Sequence, residues 1–186
     1  MKIFILFIIF ASTLIGCDST PETLDNEYVP MERKVIGKKF FAYDQIDYYC
    51  YPIVDTALAN IYKNRSKSDN DSLKEGVIVG HIPKDISDQT FIDKLEKFGY
   101  EKKVIDSSKF KRIDSLFIEK TFVDEPLAAC LYVFRDILIF KKQSKVVGVA
   151  KICFGCGGNE IIGTTANTSN FGQDGDYDVL EKILSK

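Results

Sequence analysis

Two apolar runs of strand length, Ile137–Phe140 and Val146–Phe154, flank a short polar link containing Lys142, Gln143, Ser144 and Lys145. Nothing else in the chain restricts its fold as much. Segments rich in Ile, Val and Phe favour extended structure, and a link this short leaves room only for a hairpin. A turn centred on Gln143 and Ser144 places Phe140 opposite Val147, Phe134 opposite Cys153 and Cys130 opposite Gly157. Leu127–Phe134 reads as a strand leading into the hairpin, which then spans about 127–154, and Glu160–Gly163 as a strand leaving it. Because side chains alternate faces, Cys130 and Cys153 are expected on one side of the sheet, with Cys156 just past the strand end. A bulge at Arg135 and Asp136 would break that inference.

The segments before the hairpin mix short helices with strands. Lys38–Tyr51, with Phe40, Phe41, Tyr43, Tyr48, Tyr49 and Tyr51, reads as one or two strands stopped by Pro52. The spacing of Ala57, Leu58, Ile61 and Tyr62 predicts a helix over 55–64, followed by an exposed loop from Asn64 to Ser72 and a short buried strand from Gly76 to Gly80. Asp88–Phe98 has the strongest helical pattern: Ser87 can cap it, Phe91, Ile92, Leu95 and Phe98 share a face, and Gly99 suits a left-handed end. A strand over 101–105, a helix over 108–118 and a last helix over 177–184, capped by Asp176, complete the pattern. The expected fold is α+β: one domain with an antiparallel sheet and three or four short flanking helices.

At 186 residues, with 45% hydrophobic and 28% charged residues of both signs, the chain has the composition of a folded globular protein. A net charge of −2 offers no basic field for nucleic acid. The amino terminus is different in kind. Lys2 precedes a nearly unbroken apolar run, Ile3 to Ile15, well short of the roughly 20 residues that cross a bilayer. That is the anatomy of a cleaved signal peptide.

The run closes on Leu14-Ile15-Gly16-Cys17, which resembles the lipobox of bacterial lipoproteins. The resemblance covers the first 17 residues. It implies removal of residues 1–16 and lipid on the Cys17 sulfur, with acylation of the new amino terminus. Several acyl chains give stable anchoring, since each buried methylene contributes roughly 0.8 kcal/mol and a single chain binds only marginally. Residues 17–33, with Asp18, Glu22, Asp25, Glu27 and two prolines, then read as a lipidated acidic tether, and 34–186 as the domain. The implied address is extracytoplasmic, at the outer membrane or cell surface rather than the inner membrane, with the membrane itself as one partner.

Four cysteines remain: Cys50, Cys130, Cys153 and Cys156. An even number in an oxidising compartment points first to one or two disulfides, each contributing roughly 2 to 4 kcal/mol. Cys153-Phe154-Gly155-Cys156 also has the spacing of a redox pair, yet it follows a strand and precedes two glycines, without a helix amino terminus to activate a thiolate. Its third use is as one knuckle of a zinc ribbon, which would need Cys130 with Cys50 or His81 to complete a tetrahedron. From Asp136 through Ile152-Cys153-Phe154-Gly155-Cys156 the chain resembles a segment of small, uncharacterised envelope lipoproteins of the Bacteroidota, and that resemblance implies no activity.

Two other constellations have simpler explanations. His81, the sole histidine, follows an apolar segment and has no nucleophile nearby in sequence. Asn170, Asp174, Asp176, Asp178 and Glu181 approximate a calcium loop, but Gly172 fills a ligand position, and capping of the last helix accounts for the same residues. These features together point to a membrane-anchored envelope lipoprotein with a non-enzymatic binding or structural role toward an unidentified envelope protein or ligand, and no cofactor. The alternative is an extracytoplasmic thiol-disulfide oxidoreductase or zinc protein centred on Cys153 and Cys156.

Overall fold

A computed structural model describes residues 35–52, 60, 63, 65–122 and 130–185. The signal segment, the tether and Cys17 lie outside the described residues, as does most of the helix expected over 55–64. Among the described residues no helix is long and apolar enough to cross a membrane.

The strands are β1 (Val35–Lys39), β2 (Gln45–Cys50), β3 (Glu101–Val104), β4 (Ile118–Lys120), β5 (Asp136–Lys142), β6 (Lys145–Cys153) and β7 (Gly158–Ile162). The helices are α1 (Asp69–Ile78), α2 (Leu95–Phe98), α3 (Phe110–Leu116) and α4 (Asp176–Leu184). Five strands form an antiparallel sheet in the order β3-β2-β5-β6-β7, while β1 and β4 pair separately. The fold is α+β. Helices cover both faces of the sheet, so the central strand β5 buries both of its side-chain sets, while the edge strand β3 is exposed.

One face carries Ile46, Tyr48, Leu138, Phe140, Ala150 and Ile152 against Ile113 and Leu116 of α3 and Leu180, Ile183 and Leu184 of α4. On the other, Tyr49, Ile137, Ile139 and Val149 meet Val77 and Ile78 of α1 and Leu95 and Phe98 of α2. Ile137, Leu138, Ile139 and Phe140 are all fully buried. Burial on both faces explains why β5 reads as a continuous apolar run rather than an alternating one, and each such side chain contributes about 1.5–3 kcal/mol.

The central hairpin forms about Gln143 and Ser144, both at positive φ (49° and 64°), the conformation of a two-residue turn whose twist matches its strands. Asp44 secures it by accepting the Gln143 amide hydrogen at 2.9 Å. The register departs from expectation just beyond. Lys142 opposes Lys145 and Lys141 opposes Val146, but Phe140 opposes Gly148, leaving Val147 as an extra residue in β6. A one-residue slip turns every later side chain to the other face. Cys153 therefore shares its face with Ile137 and Ile139. The slip places Gly148 opposite Phe140, where Phe41 lies so close that a Cβ would collide with its ring. The strand expected over 127–134 is absent from its described part, since residues 130–135 are not in a strand.

Several local expectations also change. The loop expected over 64–72 holds the start of α1, where Ser68 and Asp71 form a reciprocal capping box. Gly76 to Ile78, expected as part of a strand, is the last turn of that helix. The helix expected from Asp88 begins only at a 3-10 turn, Ile92–Lys94, because Ser87 turns its own amide and hydroxyl onto Asp85. Its end is as expected, with Gly99 left-handed at φ 102°. In α4 the cap is Gly175; the Asp176 side chain is instead buried in an ion pair with Lys120 of β4.

Candidate functional site

Register brings the chemistry-bearing residues to one end of the five-stranded sheet. Cys50 ends β2, Asp136 begins β5 opposite it, and Ile152 stands opposite Asp136 near the end of β6. Cys50 and Asp136 project from one face with Tyr48, whose hydroxyl donates to the Asp136 carboxylate. Cys153 projects from the other. Two adjoining clefts open here. One of about 340 Å³ is lined by Val133, Arg135, Asp136, Cys153, Phe154, Gly155, Cys156 and Glu181. The other, about 360 Å³, adds Tyr48, Cys50, Lys103 and Leu184, and shares Arg135, Asp136, Phe154 and Glu181 with the first.

Burial governs the titratable groups. It raises the Asp136 carboxyl above the usual Asp range, outweighing hydrogen bonds from Tyr48 and Cys50, and the nearby Glu181 charge pushes it the same way. The Tyr48 phenol is raised by its own burial and by Asp136. Burial likewise raises the Cys50 thiol, and a thiol held in its protonated form is a poor nucleophile and metal ligand. The site therefore offers a buried carboxyl whose charged form is penalised by burial, beside the aromatic ring of Phe154, with Lys103, Arg135 and Glu181 around it. Such an arrangement has room and polar partners for a small polar group.

The cysteines sort into one pair and two free thiols, in line with the expectation of one or two disulfides. Cys130 and Cys156 stand as a disulfide pair with Cα atoms 6.0 Å apart, closing 26 residues of sequence. By chain entropy such a crosslink stabilises the fold by about 3.5 kcal/mol. Cys50 and Cys153 are free. Cys153 is buried, and the Val133 amide donates to its sulfur at 3.3 Å. The segment after Cys130 is fixed to the body by further bonds, including Phe134 N–H to the Ile78 carbonyl at 2.7 Å and Tyr100 hydroxyl to the Phe134 carbonyl at 2.9 Å. Cys156 ends a 3-10 turn, Phe154–Cys156, leading into β7.

The zinc set does not assemble. Cys130 is engaged with Cys156, and the His81 ring meets Glu160 at 3.0 Å. Among the described residues no group of three or more His, Cys, Asp or Glu is placed to hold a metal ion, the 170–181 segment included.

Two further buried charges, Lys151 and Asp47, were not evident from sequence. Lys151, only 1% exposed, lies in the apolar run of β6 and donates to the Gly80 carbonyl at 2.6 Å, the Ile82 carbonyl at 3.0 Å and Glu160 at 2.7 Å. Burial lowers its ammonium, and Glu160 opposes that shift. Asp47, fully buried, accepts from Lys141 and Gln45 at 2.6 Å and pairs with Lys102 at 3.0 Å. Burial alone would raise its carboxyl, yet these three partners hold it below the usual range. Both charges are fully engaged within the fold. A polar residue breaking an apolar strand was the available signal.

Comparison with protein-family models, with curated proteins and with solved structures yields no match to this chain.

Proposed function

We propose that the chain is an extracytoplasmic lipoprotein of the bacterial envelope, held to the membrane by lipid on Cys17, whose α+β domain binds an envelope protein or a small polar ligand without catalysing a reaction. The observation that carries this reading is the Cys130–Cys156 pair. Disulfides persist outside the reducing cytoplasm, which agrees with a leader ending in Leu14-Ile15-Gly16-Cys17. Of the two remaining thiols, Cys50 is held protonated by burial, which favours a recognition surface over a nucleophile in the second cleft.

The test follows both parts of the reading. Radiolabelled fatty acid is expected in the wild-type protein and absent from Cys17→Ala; incorporation into that variant overturns the anchor. Purified protein is expected to carry one disulfide and no stoichiometric zinc. Zinc at one equivalent per chain would replace the binding reading with the metal alternative.

A further inference from the structure

We propose that Cys156 has two alternative disulfide partners, and that Cys153 can displace Cys130 from it, converting a closed staple into a form with an outward-facing thiol. The inference rests on the reading of Cys130–Cys156 as a formed disulfide. Three observations place the sulfurs for exchange. First, Cys153 is a free thiol that lines the same cleft as Cys156. Second, Cys156 ends the single 3-10 turn that starts right after Cys153. With about 2.0 Å of rise per residue, such a turn separates the two Cα atoms by about 6 Å, inside the range a disulfide spans. The existing pair stands at 6.0 Å, so Cys156 has two partners at similar reach. Third, the Val133 amide holds the Cys153 sulfur at 3.3 Å, and Val133 lies three residues beyond Cys130. The displaced strand of chain thus already rests on the attacking atom.

The step is internally balanced. Cys153 loses its proton to water and its sulfur bonds to Cys156 Sγ. The Cys130–Cys156 bond breaks, and Cys130 departs as a thiolate that takes a proton from water. One disulfide is consumed and one formed, so no oxidant or reductant is needed. The environments of the two thiols differ. Cys153 is 5% exposed, whereas Cys130 is an exposed residue. Exchange therefore moves a free thiol from the interior to the surface, where it could attack a disulfide on a partner protein.

The experiment uses the full lipidated protein in detergent, incubated with a maleimide under non-reducing conditions and mapped by mass spectrometry at increasing times. Slow labelling of Cys130 is expected, accompanied by a Cys153–Cys156 disulfide in the same molecules. In Cys153→Ser that labelling is lost while the Cys130–Cys156 bond remains. Cys130→Ser is expected to recover a Cys153–Cys156 bond on oxidation, and circular dichroism shows whether this variant is folded. Labelling of Cys153 alone, or equal labelling of Cys130 with and without Cys153, overturns the exchange and leaves the binding reading intact. A protein with no Cys130–Cys156 bond at the outset overturns both.

Discussion

Replacing Lys151 with Met tests how much one buried ammonium contributes to this fold. Met nearly matches the stem of Lys in length and removes the charge. Lys151 has three donors and three acceptors, the carbonyls of Gly80 and Ile82 and the Glu160 carboxylate, and its Nζ also lies 4.4 Å from the Phe134 ring centroid. Glu160 loses least, because it is 20% exposed and keeps the His81 ring at 3.0 Å. The two half-buried carbonyls lose a charged donor, and each group left unsatisfied costs up to about 1–3 kcal/mol. With the weaker contribution of Glu160, the expected loss is about 2–4 kcal/mol. That is a large share of a typical total of about 5–15 kcal/mol. The chain has no Trp, so urea unfolding followed by circular dichroism is the suitable assay. Glu160→Gln, which keeps an acceptor at the surface, should cost clearly less. A loss below about 1 kcal/mol for Lys151→Met, the size seen for ordinary surface changes, would refute the assignment of Lys151 as the tie between the 80–82 loop and β6.

Asp136→Asn should alter the pH dependence of stability. Since the folded carboxyl binds its proton more tightly than the unfolded one, the wild type gains stability that is full below about pH 4 and is lost as pH rises through the elevated native value. The Asn variant lacks this falling component, and unfolding curves measured from about pH 4 to pH 7 check it; parallel profiles would show an ordinary Asp136. Gly148→Ala places a Cβ against the Phe41 ring, which is itself packed 4.5 Å from Phe140. It should cost about 1–3 kcal/mol by overpacking, read as a lower urea midpoint, and an unchanged midpoint would mean that Phe41 yields freely.

Much of the architecture was legible in local pattern. The hairpin turn at Gln143 and Ser144, an aromatic strand within 38–51, a helix within 108–118, and the inward stripe of Leu180, Ile183 and Leu184 all stand where expected. Each depends on near neighbours: alternation, helical spacing and turn chemistry act over a few residues. Val77-Ile78-Val79 was the ambiguous case, since a short apolar run looks alike at the end of a helix and in a strand. The Ser68–Asp71 box that decides it lay in a polar stretch that also reads as a loop.

The candidate site was less accessible, because it depends on contacts between distant segments. Cys50, Cys130, Cys153 and Cys156 could be named as the chemistry-bearing residues from composition and spacing. Their pairing could not be deduced, because the bulge at Val147 decides the face on which Cys153 falls, and Gly148 beside it packs under Phe41, more than 100 residues away. The states of Asp136, Asp47 and Lys151 follow the same logic. A charge is tolerated in a core only when its partners converge on it, and Gly80, Ile82 and Glu160 reach Lys151 from segments that share no local pattern. Short-range preference was enough to write many of the strands and helices. Burial, register and sulfur pairing needed the folded chain, because desolvation and close packing act between residues that only tertiary structure makes neighbours.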